Sequence, residues 1–405
     1  MRKVTVLASL LLLAPAVSQA KTLDDLLVEK GVITKSEAMA ASGSSSSKTY
    51  WKDGTRFEFP DSGFTTKLNT FIQTRYTFTD NDEDSGKKNT SSFQVVRARI
   101  YLTGTAMHEE FNYYFDADFV GTKGADGAQT TDLKDAWLQW NACDWGSLRM
   151  GQYKTQVSRQ FNTSDHAIQF TDRTIASDYF SLGRNQGLTG YLKDKDGLWS
   201  ASAAIFNGLS DGEGINKPGV DTEQTGIVAL RWNPMGKMNA FEEGDIDYTE
   251  DAAVSIGGAY AYSDATQEAY GGNIRQTNIS VDGNLKYQGF SFHGEYYVGD
   301  FNPQDTDAET ARPQGFYTQV GYFLEPKKWE IAARYSLVDC DNGASTQGIC
   351  KGNDNVNEAT IGLNYFWWKH NLKAQLNYDF QSQEPIGGGS DINTSKWIFQ
   401  LSSFF

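Results

Sequence analysis

The chain has 405 residues, a formal net charge of −15 and a mean hydropathy of −0.52, with 39 Gly against only 8 Pro. Its 36 Lys and Arg are outnumbered by 51 acids and form no basic stripe, which excludes the electrostatic footprint of a nucleic-acid binder. Aromatics nevertheless reach 13%, and a polar average with many rings is what results when only alternate side chains meet lipid.

The first segment reads as a secretory signal. Arg2 and Lys3 precede an apolar run from Val4 to Val17, and Ser18-Gln19-Ala20 supplies small residues at a cleavage site. The run, about 14 residues, is too short to span a bilayer as a helix. Cleavage is expected after Ala20, making residues 1–20 a signal peptide; loss of Arg2 and Lys3 takes the charge from −15 to −17. No second long apolar run follows, so helical spans are not expected.

Residues 21–48 form a different region. Thr22 fits an N-cap, Asp25 the third helical position and Gly31 a stop, with Leu23, Leu26, Leu27 and Lys30 on one face. Ile33 to Glu37 suggests a second short helix, and Gly43 to Ser47 a flexible linker. Two readings stand open: a disordered leader, or a periplasmic helical element that helps oligomerisation.

From Phe64 the period becomes two. Leu68, Thr70, Ile72, Thr74, Tyr76 and Phe78 alternate with Lys67, Asn69, Phe71, Gln73, Arg75 and Thr77; Phe111, Phe115 and Phe119 alternate with Asn112, Tyr114, Asp116 and Asp118. Such stretches are about ten residues long, enough for a tilted strand to cross a membrane. About sixteen can be placed, starting near Phe64, Ser92, Glu110, Thr131, Gly146, Asn185, Gly197, Thr225, Ala252, Asn273, Gly289, Gly315, Trp329, Asn357, Asn371 and Ser395. The expected fold is therefore an all-β, transmembrane antiparallel barrel over residues 49–405.

Connections alternate between long and short, as extracellular loops and periplasmic turns do. Thr155–Arg184 is very long, and Asn233–Asp251 breaks the alternation by being long where a short turn is due. Trp137, Trp140, Trp145, Tyr153, Trp232, Tyr322, Trp329, Tyr365, Trp367, Trp368 and Trp397 gather near strand ends, as an interfacial girdle would. Trp397, Phe399, Leu401 and Phe405 share one face of a last strand closed by a terminal Phe. Cys340 and Cys350 sit close together in a polar segment; they form a local disulfide in an oxidising compartment or remain free, with Cys143 left over.

Several stretches resemble the phosphate-selective porin O/P family: Leu148-Arg-Met-Gly-Gln-Tyr-Lys154, Asp172-Arg173, Tyr179-Phe180, Gly183-Arg184-Asn185-Gln186-Gly187 and Trp199 through Gly208. Phe71 to Arg75 and Val95 to Tyr101 are similar to its first two strands, and Leu27 to Glu37 to its leader helix. The resemblance implies a sixteen-stranded outer-membrane barrel, a homotrimer, and a third extracellular loop, here residues 155–184, folded inward. It also implies a ladder of arginines with a lysine at the constriction. This chain has the Arg97, Arg99 pair and no extended Arg-x-Arg-x-Arg series.

Pore charge sets selectivity. Arg75, Arg97 and Arg99 fall on adjacent strands with one facing, and guanidinium groups accept oxyanions in a forked geometry. With Lys154 and Arg184 they are the candidate pore-lining, anion-binding residues, opposed by the acidic pore residues Asp116 and Asp118. Arg149 and Arg173 are further candidates. The expected function is passive diffusion of small solutes, anions such as phosphate, across the bacterial outer membrane. Its partners would be those solutes, outer-membrane lipid and lipopolysaccharide. A general or cation-preferring pore, a sugar channel using Tyr101, Tyr114, Tyr297, Tyr317 and Phe323, and a barrel enzyme are the alternatives. His108, His166, His293 and His370 show no metal-ligand spacing, no nucleophile elbow or phosphate loop occurs, and no catalytic residue, metal or cofactor is expected.

Overall fold

The computed structural model describes residues 28, 30–32, 34, 47–82, 86–121, 130–208, 223–267, 272–304, 309–344 and 348–405. The expected signal sequence and most of the expected leader lie outside the described residues.

A small hairpin comes first, β1 (Lys48–Trp51) and β2 (Thr55–Phe59). Sixteen longer strands follow: β3 (Phe64–Asn81), β4 (Thr90–Ala106), β5 (Phe111–Asp118), β6 (Asp132–Cys143), β7 (Gly146–Lys154), β8 (Arg184–Lys193), β9 (Trp199–Asn207) and β10 (Gln224–Met235) in the first half. The second half holds β11 (Ala253–Gln267), β12 (Gly272–Tyr287), β13 (Phe290–Pro303), β14 (Gln314–Glu325), β15 (Trp329–Asp339), β16 (Asn353–Trp368), β17 (Leu372–Pro385) and β18 (Ile392–Phe404). Each strand from β3 to β18 pairs antiparallel with the next, and β18 returns to β3 from Thr394↔Asn81 to Phe404↔Phe71, closing the barrel. Closure leaves no strand edge unpaired in lipid. Among the described residues no helix is long and apolar enough to cross a membrane.

The hairpin prolongs the wall at the seam. β2 pairs with the start of β3, Thr55↔Leu68 to Phe59↔Phe64, beyond the last β18 pair, Phe404↔Phe71. Trp51 packs on Trp368 at 5.1 Å and Trp368 on Phe405 at 6.1 Å, so the aromatic end of the chain is gripped by the same hairpin.

Alternation sorts the faces as expected. Phe115, Phe119, Trp397, Phe399, Leu401 and Phe405 are exposed on the outside, whereas Phe71, Asp116 and Asp118 are buried within. Bulges interrupt the alternation: β4 slips by one residue opposite Gln73 and Thr74, and β6 opposite Asp116 and Ala117. Trp140, Trp145, Trp232, Tyr322, Trp329, Trp367, Trp368 and Trp397 are exposed, as a girdle requires. Tyr153 and Trp137 depart from that expectation: they share the inward parity of Arg149 and Asp135 and line the lumen instead.

Short turns close one end. Gln288 (φ 46) and Gly289 (φ 83) are both left-handed, the condition of a two-residue hairpin turn matched to strand twist. Cys340 and Cys350, in the long β15–β16 loop at the other end, are joined with S–S 2.08 Å, and Cys143 is free and exposed.

Candidate pore constriction

The connection between β7 and β8 turns inward. It carries two short helices, α1 (Arg159–Asn162), capped by the Ser158 hydroxyl, and α2 (Ile175–Phe180), capped by the Thr174 hydroxyl. Its backbone crosses the barrel and is received by the wall on one side. Ser280 donates to the carbonyl of Val157 and Asn278 to that of Phe180; Lys373 Nζ donates to the carbonyl of Ile168 at 2.6 Å, and Asn364 and Gln375 to that of Gln169. Tyr297 and Tyr317 pack on α2 with Val338 and the Cys340–Cys350 bridge. Gly321 is part of this fit: a Cβ there would lie 1.9 Å from the Gln169 amide. The residues that line the sugar-channel alternative are thus divided, Tyr297 and Tyr317 lying beneath the loop.

The expected arginine cluster meets the same loop. Arg75 donates to both carboxylate oxygens of Asp172, at 2.8 and 2.9 Å. Arg99 pairs with Asp118 at 2.7 Å and with Asp165 at 2.6 Å, and lies 3.8 Å from Asp116; Arg97 reaches Asp165 at 3.4 Å. Arg173 of the loop reaches Asp165 at 2.6 Å. Burial pushes the Asp165 carboxyl up, but Arg173, Arg97, Arg99 and Lys154 outweigh it and hold the group well below the ordinary range. His166 is driven down to about 3, first by burial and then by Lys373, and its neutral ring stacks on Phe404 at 4.1 Å.

A passage stays open along the opposite arc. Arg99, Tyr101, Tyr114, Asp116, Asp135, Trp137, Arg149, Tyr153, Lys154 and Arg184 bound a space of about 210 Å³ against Gln156, Asn162, Ser164 and Asp165 of the loop. Arg99, Lys154, Arg184 and Asp116 are therefore brought together; Arg75, Arg97 and Asp118 stand behind them. Within this ring Arg184 reaches Asp135 at 3.2 Å. Lys154 donates to the carbonyl of Thr163 at 3.0 Å, and among the described residues no carboxylate lies within ion-pair reach of it or of Arg149. Arg149 lies 3.9 Å over Trp137 and 4.8 Å over Tyr191, and Tyr114 stacks on Trp137 at 5.4 Å. Its Nε and Nη2 donate to Gln139, leaving guanidinium protons for a solute. The space continues past Arg149 into a wider vestibule among the short turns, lined by Asn112, Gln139, Asn141, Ser147 and Lys193.

Sequence reasoning missed Asp165, and it reached Asp172 only as part of a family-like stretch with no role attached. Both lie in a loop, where no alternation assigns a facing; only the excess of arginines turned toward that loop hinted at acids to receive them.

The long β10–β11 connection, residues 236–252, also enters the lumen, from the end that carries the short turns. Arg159 Nη2 donates to Glu243 at 2.9 Å, both side chains at most 1% exposed, and Arg159 Nη1 donates to the carbonyl of Ala240. Glu243 also accepts from Gln160 and from the backbone N–H of Gln169, and its own N–H donates to the carbonyl of Ala167.

A closed barrel narrowed by inward connections that leave a charged, water-sized passage is the architecture of a porin. The family model for phosphate-selective porin O and P matches residues 67–383, and the chain belongs to that family. It is an outer-membrane porin, a water-filled channel through which small solutes diffuse passively. Among solved structures it is similar to the outer membrane channel DcaP of Acinetobacter baumannii, with 12% identity, a TM-score of 0.59 and coverage of 85% of this chain and 98% of that one. It is also similar to the anion-selective porin from Comamonas acidovorans, with 11% identity, a TM-score of 0.57 and coverage of 84% and 99%. The trimer form of OmpT from Vibrio cholerae matches with 10% identity, a TM-score of 0.51 and coverage of 84% and 99%. No curated protein sequence matches the chain.

Proposed function

We propose that the passage prefers anions, oxyanions such as phosphate among them, and that Lys154 and Arg149 carry the preference with Arg99 and Arg184 beside them. One observation carries this reading. All three carboxylates of the ring are within reach of an arginine, Asp116 and Asp165 of Arg99 and Asp135 of Arg184, whereas Lys154 and Arg149 form no ion pair among the described residues. At a narrow point the nearest fixed charges dominate, and acids more than about 8 Å away are largely screened at physiological salt. The overall charge of −15 therefore says little about the ring. The arginines first singled out, Arg75, Arg97 and Arg99, act in this reading mainly by holding the loop, with Arg99 also fronting the passage.

The test is the reversal potential in a potassium chloride gradient for the wild type and for Lys154→Gln with Arg149→Gln. Chloride preference in the wild type that falls severalfold in the double variant is expected. A wild type that prefers potassium would overturn the reading and leave a general or cation-preferring porin. Family membership points to a channel without catalysis. The trimer form of OmpT supports a homotrimer here, which light scattering on the detergent-solubilised protein would test.

A further inference from the structure

We propose that residues 236–252 form a latch that enters from the periplasmic end and sets the bore by pinning the constriction loop, with Glu243 as the positioning residue. A connection among short turns has no need of seventeen residues to join neighbouring antiparallel strands; two suffice at Gln288–Gly289. These residues instead climb the lumen, and three features show them held at both ends.

The base is fixed to the barrel. Ile246 is buried with Phe323 and Phe366, and Tyr248 packs beside them. Asp245 accepts from the N–H of Thr249 and from that of Gly289, and a Cβ on Gly289 would lie 2.5 Å from the Tyr248 ring. The tip is fixed to the loop. Glu243 receives Arg159 from α1 and the backbone of Gln169 from the middle of the loop, so one carboxylate ties two points that are ten residues apart in sequence. The connection between base and tip is itself braced, since His370 Nε2 in the β16–β17 turn donates to the carbonyl of Glu243 at 3.0 Å.

The consequence is geometric. Asn162, Ser164 and Asp165, which face the passage, lie between Arg159 and Gln169. Where Glu243 holds the two flanks therefore bears on how they sit against the opposite wall, alongside the direct pair from Asp165 to Arg99. Glu243 touches no part of the passage lining, so it acts on permeation only through the loop.

Glu243→Gln keeps the size and one acceptor but removes the charge that compensates Arg159. Measured by single-channel recording on the full-length protein, its conductance is expected to rise by roughly twofold with added open-channel noise, since bore follows loop position. Hydrogen exchange should quicken in residues 158–170 while wall strands stay protected, and the folded, heat-modifiable mobility on gels should persist. Asp247→Asn, on the exposed flank of the same segment, should behave as wild type. Should Glu243→Gln not assemble, Ile246→Ser frees the base without leaving a buried charge, and the same rise is expected. A folded Glu243→Gln or Ile246→Ser barrel with wild-type conductance and a protected loop would overturn the proposal. Quickened exchange across the whole wall would do so as well, because it would make Glu243 a general stabiliser.

Discussion

Along β12–β17 the inward side chains end on protein; along β4–β8 several of them border open space. Both arcs are made of the same alternating strands, and both carry buried charge. On the filled arc Lys373, Asn364 and Gln375 are spent on backbone carbonyls of the loop, and Glu295 on the N–H groups of Arg159 and Gln160. On the open arc Lys154 has a carbonyl partner and Arg149 a glutamine, with no carboxylate for either. The difference lies in what each wall was given to bind. A polar wall that receives a loop becomes interior and must be satisfied atom by atom. A polar wall left bare is satisfied by water and keeps its charge available to a solute.

The largest way to break this contrast is to remove the loop. Replacing residues 157–181 with a short Gly-Ser linker should raise single-channel conductance severalfold and weaken charge selectivity, because the ring then loses one side. Unchanged conductance would place the constriction elsewhere.

A smaller and sharper change is Asp165→Asn. Asp165 gathers Arg97, Arg99 and Arg173 at a site where its side chain is 3% exposed. Removing one member of a buried ion pair typically costs on the order of 3 kcal/mol, because the partner charge stays behind. The loop should hold less tightly, and the arginines left over should increase preference for chloride in the reversal-potential measurement. A shift toward potassium would mean that Asp116 and Asp135 govern the ring.

Acid acts on the same contacts. Asp165 is held below the ordinary carboxylate range, burial raising it and Arg173 lowering it more; Glu243 is held below as well, against burial, chiefly by Arg159. Groups with depressed values in the folded protein contribute stability above the unfolded value, about 4, and lose it as pH falls through the folded value. The contacts of Asp165 and Glu243 should therefore persist from neutral pH to about 5 and loosen only below about 4, where the unfolded carboxylates begin to take up protons, as hydrogen exchange in residues 159–170 would show. Loss of these two contacts near neutrality would contradict this.

Much of the architecture is legible because alternation is physical: a strand half in lipid must alternate, and the sixteen starts read from the sequence fall within four residues of those observed. The facing of Arg75, Arg97 and Arg99 follows from the same rule, as does the inward loop from its length and the porin resemblance. What alternation cannot reach is where irregular segments go. Residues 236–252 show no period, so their turn into the lumen is invisible, and the role of Glu243 with it. Tyr153 and Trp137 resemble girdle residues by their place near strand ends, and only their parity with Arg149 and Asp135 turns them inward. The docking roles of Asp165 and Asp172 stay hidden because a loop acid and a solvated acid have the same sequence signature.

The smallest expected effect distinguishes a buried dock from a surface clasp. Arg75 makes two hydrogen bonds to Asp172 and one to the carbonyl of Thr171, as many contacts as Arg99 makes with its aspartates. Yet the Asp172 side chain is 43% exposed against 10% for Arg75, and a pair open to water on one side is worth on the order of 1 kcal/mol. The loop is held independently by Asp165, Glu243 and the carbonyl contacts of Lys373, so losing one clasp leaves it seated. Arg75→Ala should therefore keep wild-type conductance and shift the reversal potential only slightly, by removal of one distant positive charge. If it opened the pore as far as loop deletion does, the buried contacts would be passive and the loop would hang from its solvent-facing edge.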